Sequence, residues 1–129
     1  MPNEHPLRTV EALVLVAIGG FAGSNLRYLV GLLVPGAGGT LLVNVLGSLL
    51  LGVLLYAGLF GGTLSRETRT VLATGVLASF TTYSTFALET ASLSPGWLLA
   101  NVVGSYALAF AAVLAGRAVA RRLVGEAER

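Results

Sequence analysis

Asn44 is the residue whose type and surroundings most ask for an explanation. It stands between Val43 and Val45 in an otherwise apolar run. Its amide carries two N–H donors and one carbonyl acceptor. Inside an apolar helix such a group either bonds a neighbouring helix or offers its donors to something that passes. A second constellation is denser. Ser79-Phe80-Thr81-Thr82-Tyr83-Ser84-Thr85-Phe86 places five hydroxyl residues besides Tyr83 within eight positions. Tyr83 and Phe86 are three apart, so on helical backbone they project to roughly one side. An aromatic ring is negative over its face and positive at its edge. Ring edges, the Asn44 amide and the hydroxyls of Ser84 and Thr85 together suit a small anion, held weakly at several points. Conduction needs sites that permit exit as well as entry. The competing reading is that Phe80, Tyr83 and Phe86 pack or face lipid.

The ionisable residues are few. The chain has no Cys, Asp or Lys, and its one His is His5. Nucleophile–base triads, zinc centres and paired-carboxylate hydrolysis have almost nothing to work with. Arg27 and Glu89 lie within apolar stretches, where burial of charge at mid-bilayer costs about 3 kcal/mol or more. Both stand toward the ends of their stretches. Arg27 either anchors a helix end or draws anions toward a vestibule. Glu89 either caps, pairs with an arginine, or meets the ion directly. Asn101 and Ser105 share a helical face, as do Asn44 and Ser48. Gly19-xxx-Gly23 and Ser48-xxx-Gly52 read as packing pairs.

The elements that must position these residues are membrane spans. Only 11% of the residues are charged and 55% are hydrophobic, so most of the chain has no water to face. Four apolar stretches come near the ~20 residues that cross a bilayer. They run over about 12–34, 40–60, 70–93 and 96–119, within a single domain of residues 1–129. The first is too long, and too closely followed by others, for a cleaved signal peptide. Pro35 to Gly39 reads as a turn, Gly61 to Arg69 as the one polar loop, and Ser94-Pro95 as a helix start. Arg117 to Arg129 reads as an exposed helical extension. The hydroxyl cluster falls inside the third span. Irregular backbone at membrane depth is tolerated only where protein or water covers it. Five hydroxyls there favour a functional break over a plain helix. Asn44-Val45-Leu46-Gly47-Ser48 echoes Asn101-Val102-Val103-Gly104-Ser105, and Gly19 to Ser24 faintly echoes Gly75 to Ser79. Both offsets are near 57, which suggests two related helix pairs.

The arginines set the orientation. Four spans leave both termini and the middle loop on one side, with Arg8, Arg66, Arg69, Arg117, Arg121, Arg122 and Arg129. Only Arg27 belongs to the other side. The positive-inside rule therefore places both termini in the cytoplasm. The pI near 9.5 is all arginine. In so apolar a chain it reports topology and lipid headgroups rather than nucleic acid.

Gly19 to Tyr28 (Gly-Gly-Phe-Ala-Gly-Ser-Asn-Leu-Arg-Tyr) resembles the opening motif of the CrcB/Fluc fluoride channel family. Gly39 to Ser48 resembles its second-helix motif, Thr81 to Phe86 its third-helix signature, and Asn101 to Ser105 its fourth-helix pattern. The resemblance covers about residues 12 to 119. It implies an all-α membrane protein of four transmembrane helices with a break in the third. It also implies an antiparallel dimer with two fluoride pores, through which fluoride leaves the cell passively across the plasma membrane. By the same resemblance Asn44 and the ring edges of Tyr83 and Phe86 line the pores, and Ser84, Thr85, Thr40 and Ser105 match hydroxyl positions on or near the path. It implies a structural sodium ion at the dimer interface, held by backbone carbonyls at Ala78 and Thr81.

This sequence departs from the family pattern twice. Tyr83 stands where the first ring of the pair is usually Phe. Ala78 and Ser79 stand where two glycines are usual. A carbonyl ligand survives that change, but a glycine-only backbone angle would not. The strong arginine bias adds an expectation. An antiparallel homodimer needs one sequence to insert both ways, whereas this chain looks fixed in one orientation. It is expected to pair with a related, oppositely oriented subunit, with a homodimer as the alternative. The rival function is a small proton-coupled multidrug exporter, for which Glu89 would be the sole embedded carboxylate. A third reading is a membrane protein whose Gly and Ser residues only pack helices.

Overall fold

A computed structural model of the chain describes residues 6–60 and 64–127. His5, Gly61 to Thr63, Glu128 and Arg129 lie outside the described residues, as does the side chain of Glu126. The described chain is all α-helical and holds four stretches long and apolar enough to cross a membrane. It opens with α1 (Pro6–Leu33) and α2 (Ala37–Phe60), joined by a short turn. The third crossing is built in pieces: α3 (Arg66–Thr70), a π-helical segment (Val71–Leu77), α4 (Ala78–Phe80) and, after an interruption, α5 (Ser84–Ala91). The last element is α6 (Pro95–Ala127), starting at the proline that follows Ser94.

Helix lengths differ from the hydropathy limits for physical reasons. α6 has 33 residues, about 50 Å at 1.5 Å per residue. A hydrocarbon core is about 30 Å thick, so the end of α6 projects beyond it. Arg117, Arg121 and Arg122 are exposed on that projection. Arg117 reaches back over the Tyr56 ring of α2, 5.9 Å from its centroid. α1 begins at Pro6, ahead of its apolar stretch, and carries the polar Arg8 and Glu11 on its first turns.

Packing follows the sequence echo. α2 lies mainly along α6, and α1 mainly along the π-helical segment and α4. Thus the first and third crossings, which resemble each other, are neighbours, and so are the second and fourth. Small residues permit the approach. A Cβ on Gly75 would lie 2.9 Å from the Val16 carbonyl oxygen and 3.2 Å from the Gly19 Cα. On the other pair, a Cβ on Gly116 would overlap the Leu49 carbonyl oxygen of α2. In lipid, backbone approach of this kind and dispersion replace the hydrophobic drive between helices.

Little of the apolar surface is buried within one chain. Phe21 is 73% exposed and Phe110 71%. Side chains of this type belong against lipid or a second subunit. Among the described residues the buried hydrophobic and polar set is small: Val43, Leu54, Phe80, Ala112 and Ala120, with Thr40, Thr82 and Thr90.

Gly116→Ala is expected to destabilise the fold by about 1–3 kcal/mol, the cost of overpacking. Gly96→Ala meets open space and should be neutral or stabilising by up to about 1 kcal/mol from helix propensity. Thermal unfolding of both variants in detergent tests the contrast.

Candidate functional site

The site is organised by the interruption at Thr81–Tyr83. The Thr81 N–H still closes on the Leu77 carbonyl at 3.0 Å, and its hydroxyl bonds the same oxygen at 3.1 Å. Thr81 itself turns extended, with φ −76° and ψ 162°. The Thr82 N–H would bond the Ala78 carbonyl in a continuing helix. It bonds Asn44 Oδ1 instead, at 2.8 Å. Asn44 Nδ2 donates to the Thr82 carbonyl at 2.9 Å. One side chain on α2 therefore satisfies both backbone polar groups of the residue at the break. This answers the question raised by Asn44. It is an interhelical bond, and the amide keeps one N–H beyond the one spent on Thr82. The Asn44 carbonyl in turn accepts from Ser48 Oγ at 2.7 Å.

Thr82 also starts the next helix. Its Oγ1 accepts from the Thr85 N–H at 3.3 Å and donates to Thr85 Oγ1 at 3.1 Å. Ser84 Oγ stands 3.5 Å from the same oxygen. The first helical bond of α5 is Ala87 N–H to the Tyr83 carbonyl, at 2.8 Å. A helix that starts in mid-membrane points its first N–H groups, and the positive end of its dipole, at the break. The helix that ends there presents carbonyls. Discontinuous helices use these two ends for anions and cations respectively.

Two cavities flank Thr82. A groove of about 370 Å³ is lined by Asn44, Ser48, Ala78, Thr81, Tyr83, Phe86, Ser105 and Tyr106, among others. A smaller cavity of about 160 Å³ is lined by Arg27, Thr40, Thr82, Thr85 and Glu89 with several glycines. The expected residues are therefore divided. Asn44, Tyr83, Phe86 and Ser105 meet in the groove, with Ala78 and Thr81. Thr40, Thr85, Arg27 and Glu89 meet in the cavity. Ser84 is exposed and lines neither.

The rings form a chain along the groove. Tyr83 and Phe86 have centroids 6.1 Å apart at 44°. Phe86 meets Tyr106 edge-on, at 6.2 Å and 90°. Tyr83 is 72% exposed although it lines the groove. Two contributors were missed from sequence. Thr82 is the junction of both cavities, and nothing in a run of equivalent hydroxyls singled it out. Tyr106 follows the noted Ser105 directly, but a tyrosine in an apolar helix reads as lipid-facing.

Asn101, singled out beside Ser105, bonds Thr90 at the end of α5 through Nδ2, at 2.7 Å. Its Oδ1 accepts from Ser105 Oγ at 3.5 Å. Both echoed asparagines thus tie an intact helix to the broken crossing. Arg27 reaches the break too, its Nη1 donating to the Thr81 carbonyl at 3.2 Å. Glu89 Oε2 is buried without a hydrogen-bond partner.

The implied sodium ligands can be tested against this geometry. Ala78 has φ −65° and ψ −28°, ordinary right-handed helix that needs no glycine. The Ala78 carbonyl has lost its usual donor, because Thr82 N–H goes to Asn44. Freed carbonyls at a half-helix C-terminus suit a sodium ion. The donor chemistry fits, with Arg27 already occupying one side of the Thr81 oxygen.

Four membrane-spanning stretches with a polar seam of one amide, hydroxyls and aromatic rings between them make this a multi-pass membrane protein. The comparisons make this specific. The family described as CrcB-like protein, Camphor Resistance (CrcB), matches residues 14–117, and the chain belongs to that family. A protein of Haloarcula marismortui named Fluoride-specific ion channel FluC 1 is 63% identical over 97% of this chain and 98% of its own. Fluoride-specific ion channel FluC 2 of Halobacterium salinarum is 50% identical, covering 94% and 96%. Fluoride-specific ion channel FluC 1 of Natronomonas pharaonis is 51% identical, covering 86% and 95%.

Asn44→Leu should destabilise the protein by about 1–3 kcal/mol, the cost of leaving a buried backbone pair unsatisfied. Ser48→Ala, which removes only a bond back to its own helix, should cost less than half as much. Unfolding in detergent measures both.

Proposed function

We propose that this chain is a subunit of a fluoride-selective ion channel that lets fluoride leave the cell passively and so lowers its cytoplasmic level. It is not an enzyme. The observation that carries the reading is membership of a family whose near full-length relatives bear the fluoride-channel name. The geometry supports it. A halide crossing a bilayer must exchange its water shell for other donors. Ser84 lines neither space and Ser105 gives its hydrogen to Asn101; the spare Asn44 N–H, the hydroxyls of Thr40 and Thr85, and the edges of Tyr83 and Phe86 are such donors. None is a fixed cation that would trap the ion. The exporter reading finds no support in these relatives.

The assembly follows from the same reading. The exposed Tyr83 and the open groove would be completed by a second, inverted subunit. A sodium ion on the Ala78 and Thr81 carbonyls of both subunits would bind the two breaks together. The arginine bias favours a related partner in the opposite orientation over a second copy, and relatives numbered FluC 1 and FluC 2 support that preference. Both termini of this chain would lie in the cytoplasm.

Liposomes holding the purified protein, alone or with an inverted relative, should release fluoride and retain chloride. Asn44→Asp and Phe86→Ile should each cut the efflux at least tenfold, about 1.4 kcal/mol on the barrier. Normal efflux from both variants would remove these residues from the path. Accessible tags on the termini, with this chain expressed alone, should report one orientation. An even split would favour the homodimer.

A further inference from the structure

We propose that Arg27 is a tethered cation at the break. Its guanidinium takes one side of the Thr81 carbonyl, and its charge weakens the hold of a free sodium ion on that oxygen. This rests on the sodium reading above and concerns how tightly such an ion is bound.

The contact joins elements far apart in sequence. Arg27 sits on α1, two turns from its end, and donates through Nη1 to an oxygen 54 positions later, at 3.2 Å. Among the described arginines it is alone in lying away from the start of α1, α3 and the end of α6, which carry the others. A guanidinium at membrane depth needs acceptors. The break supplies one, since a helix terminus leaves carbonyls without intrahelical donors. Glu89 lines the same cavity, yet its Oε2 has no hydrogen-bond partner. That carboxylate oxygen does not draw the guanidinium off Thr81.

A carbonyl has two lone pairs, so the guanidinium and a sodium ion can share the oxygen. They cannot share it without cost. Two positive charges a few ångströms apart in a partly buried site repel by enough to lower affinity roughly tenfold or more. The same contact positions the break when no ion is bound, because Arg27 holds the Thr81 carbonyl while Asn44 holds the N–H of the same peptide unit. Arg27 is thus a positioning residue. It makes the interruption of the third crossing less dependent on free sodium than bare carbonyls would be.

The test uses the full-length protein in detergent, both alone and assembled with an inverted relative, so that the two-subunit site is present in at least one sample. Sodium chloride replaces N-methylglucamine chloride at constant ionic strength, and thermal unfolding is followed at each step. Arg27→Gln should reach half of its sodium-induced stabilisation at a sodium concentration roughly tenfold lower than the wild type does. Arg27→Lys, which keeps the charge, should stay near the wild type. Equal midpoints for Arg27→Gln and wild type would overturn the proposal and leave the sodium site standing. If neither protein responded and neither contained sodium, the sodium reading would fall as well. Should the glutamine variant not fold, Arg27→Met gives the same comparison.

Discussion

The Asn44 amide closing on the backbone N–H and carbonyl of Thr82 is the interaction on which the site depends. A backbone that leaves the helix inside a bilayer exposes N–H and C=O groups that lipid cannot satisfy. Here the donor of Thr82 finds Oδ1 and its acceptor finds Nδ2, at 2.8 and 2.9 Å. With both groups satisfied, the third crossing can stop at Phe80 and restart at Ser84. The stop presents carbonyls and the restart presents N–H groups. One break thus offers ends of opposite polarity at the same depth, with hydroxyls between them.

The rest of the fold serves to hold α2 and the broken crossing in register. Gly116 lets α6 lie close on α2 beside Leu49 and Val53. Gly19 and Gly75 let the π-helical segment lie close on α1, which brings the Thr81 carbonyl to Arg27. Asn101 repeats the device at the far end of α5 by bonding Thr90. The two echoed asparagines therefore share a role that a short sequence match could suggest but not specify. Each is a polar tie from an intact helix to the interrupted one.

Much of this was legible in the sequence because polar residues are expensive in lipid and so stand out. Asn44 between valines, five hydroxyls near Tyr83, and the one-sided arginines each marked a feature worth explaining. The four crossings followed from apolar length alone. Other parts were not legible, each for its own reason. Val71 to Leu77 is as apolar as any α-helix, and its π geometry has no mark in residue type. Thr82 was hidden among equivalent neighbours, because its importance comes from which backbone N–H and carbonyl face Asn44 on α2. Tyr106 has no mark in residue type either, since its place beside Phe86 depends on how α5 and α6 meet. The division of the polar residues between a groove and a separate cavity depends on three helices at once, which no local spacing encodes.

The most direct measurement of the central claim is backbone hydrogen exchange at Thr82, read by NMR on the protein in lipid nanodiscs. The account predicts that the Thr82 amide is strongly protected in the wild type although it lies outside any helix and borders two polar cavities. It predicts that Asn44→Ala abolishes that protection while amides of α6 keep theirs. Fast exchange at Thr82 in the wild type, or protection unchanged by the substitution, would contradict it.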